Sequence, residues 1–362
     1  MSNAANKTRM FLLGLCVTTS IFLLAGPARA QEKRFDGVVL RVATYGGPWR
    51  DALQELIGAD MEKRGAKIEW ETGAPNAHLA KLIISRGNAV PFDVSEIDDP
   101  TAPQFVEAGV LEAFNVQRIP NVSGLIDPPS TPLNLIPIWS FEEGLVYNAE
   151  KFNELGIPKP QRYTDLLNPK LTGRVGLYDI SGANGPFAVY GFALDAGGSV
   201  DNVTPGLQAM KKLGAKQFFT SAPAAMASLV SGDIWAMYMG AAWAIRMRKA
   251  GNAWASFAHL KVGDNVGIWS RGYIGLVKGT KNAEAAEYYV NRYISADVQK
   301  VLATKLGSVP VAKAALPDLD KDPLLHELLK LTPEDIANMR RIDFSKIDTS
   351  KWLDSWNAIM SK

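Results

Sequence analysis

The sequence predicts an α/β fold: a mainly parallel sheet with helices on both faces, in two units. Three observations carry this expectation. Strands rich in β-branched residues alternate with helices of 3.6-residue apolar spacing along most of the chain. The alternation restarts near the middle, where a second glycine-proline loop joins a strand to a helix. About 330 residues remain after an N-terminal leader, a length that suits two domains.

Residues 1–30 read as that leader. Lys7 and Arg9 give a basic start, residues 10–26 are largely apolar, and Ala28-Arg29-Ala30 supplies a small-x-small cleavage site. Thr18, Thr19 and Ser20 interrupt the apolar run, which argues against an uncleaved anchor. Cys16 follows Leu15, where a lipid-modified cysteine needs a small residue. The leader holds three basic residues, Lys7, Arg9 and Arg29, and no acid. Removing it lowers the basic count from 39 to 36 against 37 acids, a net −1. That balance gives no reason to expect nucleic acid or an anionic membrane as partner. Cys16 is the sole cysteine, so the processed chain is expected to carry no disulfide, thiolate metal site or cysteine nucleophile.

The first strand spans residues 38–44. Tyr45-Gly46-Gly47-Pro48 follows, then a helix from Trp49 with apolar Leu53, Leu56, Ile57 and Met61. Gly47 fits the cap and Pro48 the first turn, where a missing N–H costs nothing. Gly65 ends the helix; a strand at 66–71, a helix at 78–86 and a strand at 92–97 come next. Residues 133–147 read as a crossing between units. The second unit brings a strand at 175–178, a polar loop at 179–185 and a buried helix at 186–196 stopped by Gly197-Gly198. A helix at 222–230 and a strand at 234–239 complete it. A strand at 272–277 leads into one long helix capped by Asn282. Its buried stripe is Ala286, Tyr289, Val290, Tyr293, Ile294, Val298, Val301 and Leu302. Residues 316–362 are rich in proline and charge, with short helical patches that wrap the surface.

Two loops share one design. Gly46-Gly47-Pro48 and Asn184-Gly185-Pro186 each open a helix whose free N–H groups can hold a carboxylate or phosphate; ordinary capping is the plain alternative. Ser181, Gly182 and Asn184 offer donors in the second loop, and Asp179 opens it. In open parallel sheets such loops lie at the carboxyl ends of strands, where ligands bind. Aromatic residues gather at the same places: Tyr45 and Trp49, then Trp139 and Phe141 about Ser140. Tyr238 and Trp243 lie around Gly240, and Trp269 and Tyr273 around Arg271. Such a wall suits a small-ligand cleft, with core packing as the alternative. Arg271 has two readings, a fork onto a ligand carboxylate or a structural salt bridge. Asp98-Asp99 either meets a ligand amine or caps the next segment. His78, His259 and His326 lie far apart, and no G-x-S-x-G, P-loop or HExxH motif occurs. Tyr288-Tyr289 falls within an amphipathic pattern and reads as packing. No catalysis, cofactor or metal is expected.

Several segments together resemble bacterial extracellular solute-binding proteins of the polyamine-type branch, the type II periplasmic binding proteins. The carriers are Tyr45-Gly46-Gly47, Phe92-Asp93-Val94, Tyr163-Thr164-Asp165-Leu166 with Pro169-Lys170-Leu171-Thr172-Gly173, Ser231-Gly232-Asp233-Ile234, and Lys278-Gly279-Thr280-Lys281-Asn282. The resemblance implies two α/β lobes with a ligand cleft between them, joined by two crossing segments near 138–144 and 270–274. Lobe 1 would take residues 31–138 and 275–325, lobe 2 residues 139–274, and a C-terminal helical tail 326–362. It also implies a monomeric periplasmic receptor that closes on one small molecule and hands it to the membrane permease of an ABC importer. A solute sensor for a membrane receptor is the rival use of the same closure. One departure bears on the ligand. Polyamine binders carry acids in the loop after 175–178 and an aspartate at the second crossing. Here residues 180–186 contain no acid, and Arg271-Gly272 stands at the crossing. A buried ammonium without a carboxylate partner is costly. A zwitterion, carboxylate or phosphonate is therefore expected, with spermidine or putrescine as the alternative.

Overall fold

In the computed structural model, residues 34–361 are described, apart from 87, 130–132 and 183. The leader and Cys16 lie outside the described residues. The strands are β1 (Val39–Thr44), β2 (Lys67–Thr72), β3 (Val94–Asp98), β4 (Leu111–Glu112), β5 (Ile136–Asn148) and β6 (Val175–Tyr178). They continue as β7 (Gln217–Phe219), β8 (Ala236–Gly240), β9 (Ala255–Ala258), β10 (Lys261–Val262), β11 (Asn265–Val266) and β12 (Ile268–Val277).

Ten strands form one sheet with the path β2-β1-β3-β12-β5-β8-β6-β7. The two ends of that path are parallel, as the alternation of strand and helix predicts: β1 pairs with β2 and β3, and β6 with β7 and β8. The centre corrects the expectation of a mainly parallel sheet, because β5 and β12 run through it antiparallel to their neighbours. β12 pairs with β3 and β5, and β5 with β8. Segments 138–144 and 270–274 fall inside β5 and β12, where Ile268 faces Glu143 and Gly272 faces Trp139. The two segments are thus one hydrogen-bonded ribbon running through the middle of the sheet.

Helices cover both faces, so each half buries two apolar layers. In the first half Leu40, Val42, Ile57, Trp139 and Tyr289 share one cluster, while Phe92, Ile97 and Phe105 share another. In the second half Leu145, Tyr163, Phe192 and Tyr238 pack on one face, and Val146, Phe219, Met239 and Trp269 on the other. The end of the chain seals both of these. Leu316, Leu319 and Leu325 join Val146 and Tyr178. Trp352 and Trp356 join the opposite layer, where the Trp352 indole donates to the Val200 carbonyl (2.8 Å).

Two local expectations are corrected. Asn282 does not cap its helix through its side chain; its Nδ2 donates instead to the Val39 carbonyl (3.0 Å) and to the Asp93 carboxylate (3.2 Å). The long helix is two, Ala283–Tyr293 and Ala296–Leu306, because Ser295 takes an extended backbone (φ −71°, ψ 148°) and restarts it. The apolar stripe survives the break, with only Val301 half-exposed. The first helical run also departs from regularity, passing through a π-helical turn at Gln54–Gly58.

Close backbone approach fixes the second half. A Cβ on Gly206 would lie 2.3 Å from the Ala193 amide nitrogen, so helices Gly185–Asp195 and Thr204–Leu213 touch only because this position is bare. Gly206→Ala is expected to cost about 1–3 kcal/mol in chemical denaturation. Unchanged stability would mean that the two helices are not in this contact.

Candidate functional site

The carboxyl ends of the parallel strands and the central ribbon surround a cleft of about 570 Å³, within the usual size of a small-ligand site. From the β1 side come Tyr45, Gly46, Gly47, Pro48 and Trp49, and from β3 comes Asp98. β5 supplies Trp139, Phe141 and Glu143, and β12 supplies Ser270 and Arg271. β6 and β8 end on Tyr178 and Gly240, and the segments after β6, β7 and β8 add Asn184, Phe187, Thr220, Pro223, Trp243 and Arg246.

Four aromatic rings form one wall. Trp139 lies 6.2 Å from Tyr45, 6.1 Å from Trp49 and 5.3 Å from Phe141, in edge or tilted contacts. Gly47 enters the helix with φ 64°, a conformation that suits glycine, and so turns Pro48 and Trp49 toward the cleft. Gly272 is needed behind the wall, since a Cβ there would meet the Trp139 ring at 1.8 Å.

Strand alternation decides which expected residues reach this space. Side chains at i, i+2 and i+4 share a face, and on β5 these are Trp139, Phe141 and Glu143. Ser140 points the other way and donates to the Val309 carbonyl (2.9 Å). Tyr238 is buried against Tyr163, and Trp269 is buried in the apolar layer behind the ribbon. Tyr273 donates to Asp99 (2.7 Å) and holds that carboxylate rather than lining the cleft. Asp179, Ser181 and Gly182 close a turn on themselves, with the Ser181 amide and hydroxyl on Asp179 Oδ1 (2.9 and 2.6 Å). None of these seven is among the lining residues.

The charges fall into three groups. Arg271 is held on both sides, by Asp99 (3.3 Å) and by Asp127 (2.9 Å), so of its two readings the salt bridge is the one present. Glu143 is buried and accepts from the Ser270 hydroxyl (2.7 Å) and Asn184 Nδ2 (2.5 Å). No cation pairs with it among the described residues. Burial pushes its carboxyl up to about 7, and the Ser270 and Asn184 donors pull against that. Asp98 accepts from Thr101 and Tyr45, and burial raises its carboxyl as well. Arg246 is the counterpart. Its Nε donates to the Leu306 carbonyl (3.0 Å) and its guanidinium stacks 4.4 Å from the Trp243 ring centre. No carboxylate lies within ion-pair distance of it among the described residues, and burial alone lowers its pKa to about 10. Both unpaired groups had a signal in the sequence. Glu143 shares the period-two face of Trp139, and Arg246 stands one helical turn after Trp243. Among the described residues no cluster of His, Cys, Asp or Glu is placed to hold a metal ion.

A carboxyl raised from 4.5 to about 7 is protonated in the folded chain and ionised in the unfolded chain across that window. Stability therefore falls as pH rises through it, by about 3 kcal/mol for Glu143. Denaturant titrations at pH 5 and pH 8 should show a smaller loss for Glu143→Gln than for the unaltered protein. An equal loss in both would contradict a buried, unpaired Glu143.

The comparisons agree with this architecture. The ABC transporter substrate-binding protein of Bradyrhizobium japonicum superimposes with a TM-score of 0.73 at 18% identity, over 89% of this chain and 99% of that one. An ABC transporter protein of Clostridium perfringens gives 0.71 at 22%, over 89% and 99%. A Listeria monocytogenes protein named for spermidine/putrescine transport gives 0.71 at 16%, over 89% and 98%. At these identities the likeness shows the fold. No curated protein matches the chain. The family model for bacterial extracellular solute-binding proteins matches residues 57–327, well over half of the sequence, and the chain belongs to that family.

Proposed function

We propose that this protein is the exported receptor of an ABC importer and that it captures a small zwitterion. The observation that carries the reading is the pairing of opposites in one cleft. Glu143 and Arg246 line the same space, both largely withdrawn from water, and neither has a counter-ion among the described residues. An ammonium beside Glu143 and Asp98 and a carboxylate or phosphonate beside Arg246 compensate both at once. A charge-assisted hydrogen bond of this kind contributes about 1.5–3 kcal/mol. The anion anchor is thus assigned to Arg246, because Arg271 is already engaged by two aspartates. Closure would bend the β5–β12 ribbon, and the closed form would be read by the membrane permease. Spermidine or putrescine is the second reading, favoured by the two acids Glu143 and Asp98 facing an aromatic wall.

Calorimetry with ω-amino acids, aminoalkylphosphonates, dicarboxylates, putrescine and spermidine separates the two. A zwitterion is expected to bind best, and Arg246→Ala to weaken it at least tenfold, or about 1.4 kcal/mol. Its affinity should rise from pH 6 to pH 8, because an ammonium selects the ionised Glu143, and Glu143→Gln should flatten that rise. Micromolar putrescine or spermidine binding that survives Arg246→Ala would replace the zwitterion with a polyamine.

The same reading places the protein outside the cytoplasm. Protein recovered from the periplasm should begin at Gln31; full-length chain retained in the membrane fraction would count against cleavage after Ala30.

A further inference from the structure

Behind the aromatic wall lies a carboxylate that the ligand reading does not use. Glu96 sits in the middle of β3, 1% exposed, on the same strand face as Val94 and Asp98. An apolar side chain would be the cheaper occupant of such a site, because a buried carboxylate without a cation costs several kcal/mol. Its partners are neutral. Trp49 Nε1 donates to it at 3.1 Å and the Tyr293 hydroxyl at 3.0 Å. Thr44 and Trp139 face the same carboxylate. Thr44 Oγ1 and Trp139 Nε1 are both buried, and neither closes a hydrogen bond.

Four of the elements around Glu96 contribute these groups, whereas β12, which sets Ile274 opposite Glu96, contributes none. Thr44 comes from β1, Trp49 from the helix that follows, Trp139 from β5, and Tyr289 and Tyr293 from helix Ala283–Tyr293. The titratable groups that bear on it are Tyr45, Tyr289, Tyr293 and, two residues along its own strand, Asp98. No lysine, arginine or histidine pairs with it among the described residues. The two indoles it faces are also the two indoles of the cleft wall. Trp49 and Tyr293 donate to different oxygens of Glu96, so a glutamine, with one acceptor oxygen, would satisfy only one of them. What a carboxylate adds is spare acceptor capacity for the unpartnered Trp139 N–H, together with a charge that can be switched.

We propose that Glu96 is a positioning residue for the cleft: through the indole N–H groups of Trp49 and Trp139 its ionisation sets the aromatic wall on which the solute rests. The protonated acid holds Trp49 and leaves Trp139 loose. The carboxylate draws both N–H groups in and tightens the wall from behind. The consequence for binding rests on the cleft reading above, while the test needs no ligand and stands or falls separately.

The test follows the indole Nε1–H signals of the ligand-free, full-length processed protein by nuclear magnetic resonance from pH 5 to pH 9. Trp49 and Trp139 are assigned with Trp49→Phe and Trp139→Phe. Both signals are expected to move downfield together as pH rises, with one midpoint near 7. Glu96→Gln should abolish the movement. Glu143→Gln and Asp98→Asn should each leave it, which separates Glu96 from the two raised carboxyls that line the cleft. Tyr293→Phe removes one donor to the carboxylate and should shift the common midpoint upward, and it decides the matter should Glu96→Gln fail to fold. Signals that stay flat in the unaltered protein, or that titrate unchanged in Glu96→Gln or Tyr293→Phe, overturn the proposal.

Discussion

The antiparallel pairing of β5 with β12 is the constraint on which the rest of the structure depends. It joins two parallel half-sheets that otherwise share no strand, and it does so with backbone hydrogen bonds that leave every side chain free to face one layer or the other. Because the period along a strand is two, one register decision sends Trp139, Phe141 and Glu143 to the cleft. The same decision sends Ser140 and Glu142 to the opposite side, where Glu142 meets His259 (2.6 Å). A slip of one residue would exchange these sets and bury the polar residues where the wall now stands. Gly272 and the register shift after it belong to the same constraint, since the ribbon must thin where Trp139 crosses it.

The electrostatics of the cleft follow from which charges the fold answers and which it leaves open. Arg271 is answered twice, by Asp99 and Asp127, and Tyr273 steadies Asp99 from the same strand. Arg341 approaches Asp127 from the end of the chain (3.8 Å) and stacks on Trp269. That network ties β12 to β3 and to the C-terminal segment. Its geometry is that of a brace, with little capacity left for a ligand. Among the described residues Glu143 and Arg246 are left without such answers, although burial makes each of them costly. An unpaired buried charge needs a reason, and the proposed zwitterion would supply one to both.

Much of the fold was legible in the sequence because it is local. Gly47 with Pro48, the stripe from Ala286 to Leu302, and the restart of strand-helix alternation near residue 175 each follow from dihedral preference or periodicity over a few residues. The antiparallel centre was not legible. β5 and β12 are apolar along most of their length and lie more than a hundred residues apart, so no local pattern gives their pairing. The cleft divides in the same way. Tyr45, Trp49, Asp98, Trp139, Asn184, Gly240 and Trp243 stand near strand ends, where aromatic and polar residues cluster in the sequence too. Tyr238 and Trp269 stand near the same ends but face the apolar layers, and composition alone does not reveal facing. Arg246 was hidden among Arg248 and Lys249, which read as ordinary complements to a helix C-terminus. Glu143 was hidden beside Glu142, since two adjacent acids look like surface until alternation separates them.

The buried acids show what kind of stability this cleft has. Glu96, Glu142 and Glu143 are each almost wholly removed from water, and burial raises the carboxyl of all three. Among the described residues Glu96 and Glu143 are met by indole, hydroxyl and amide donors and by no lysine or arginine, while Glu142, on the far side of the ribbon, meets the His259 imidazole. Neutral donors hold a carboxylate in place without cancelling its field, whereas an ion pair would do both. A cleft built this way keeps its negative pole available to a solute while fixing the side chains that carry it. The cost appears as stability lost toward neutral pH, and a bound ammonium returns part of it. Position without neutralisation is therefore the physical requirement these residues meet together. It explains why glutamates, rather than the apolar residues their burial would favour, occupy the centre of β3 and of the ribbon.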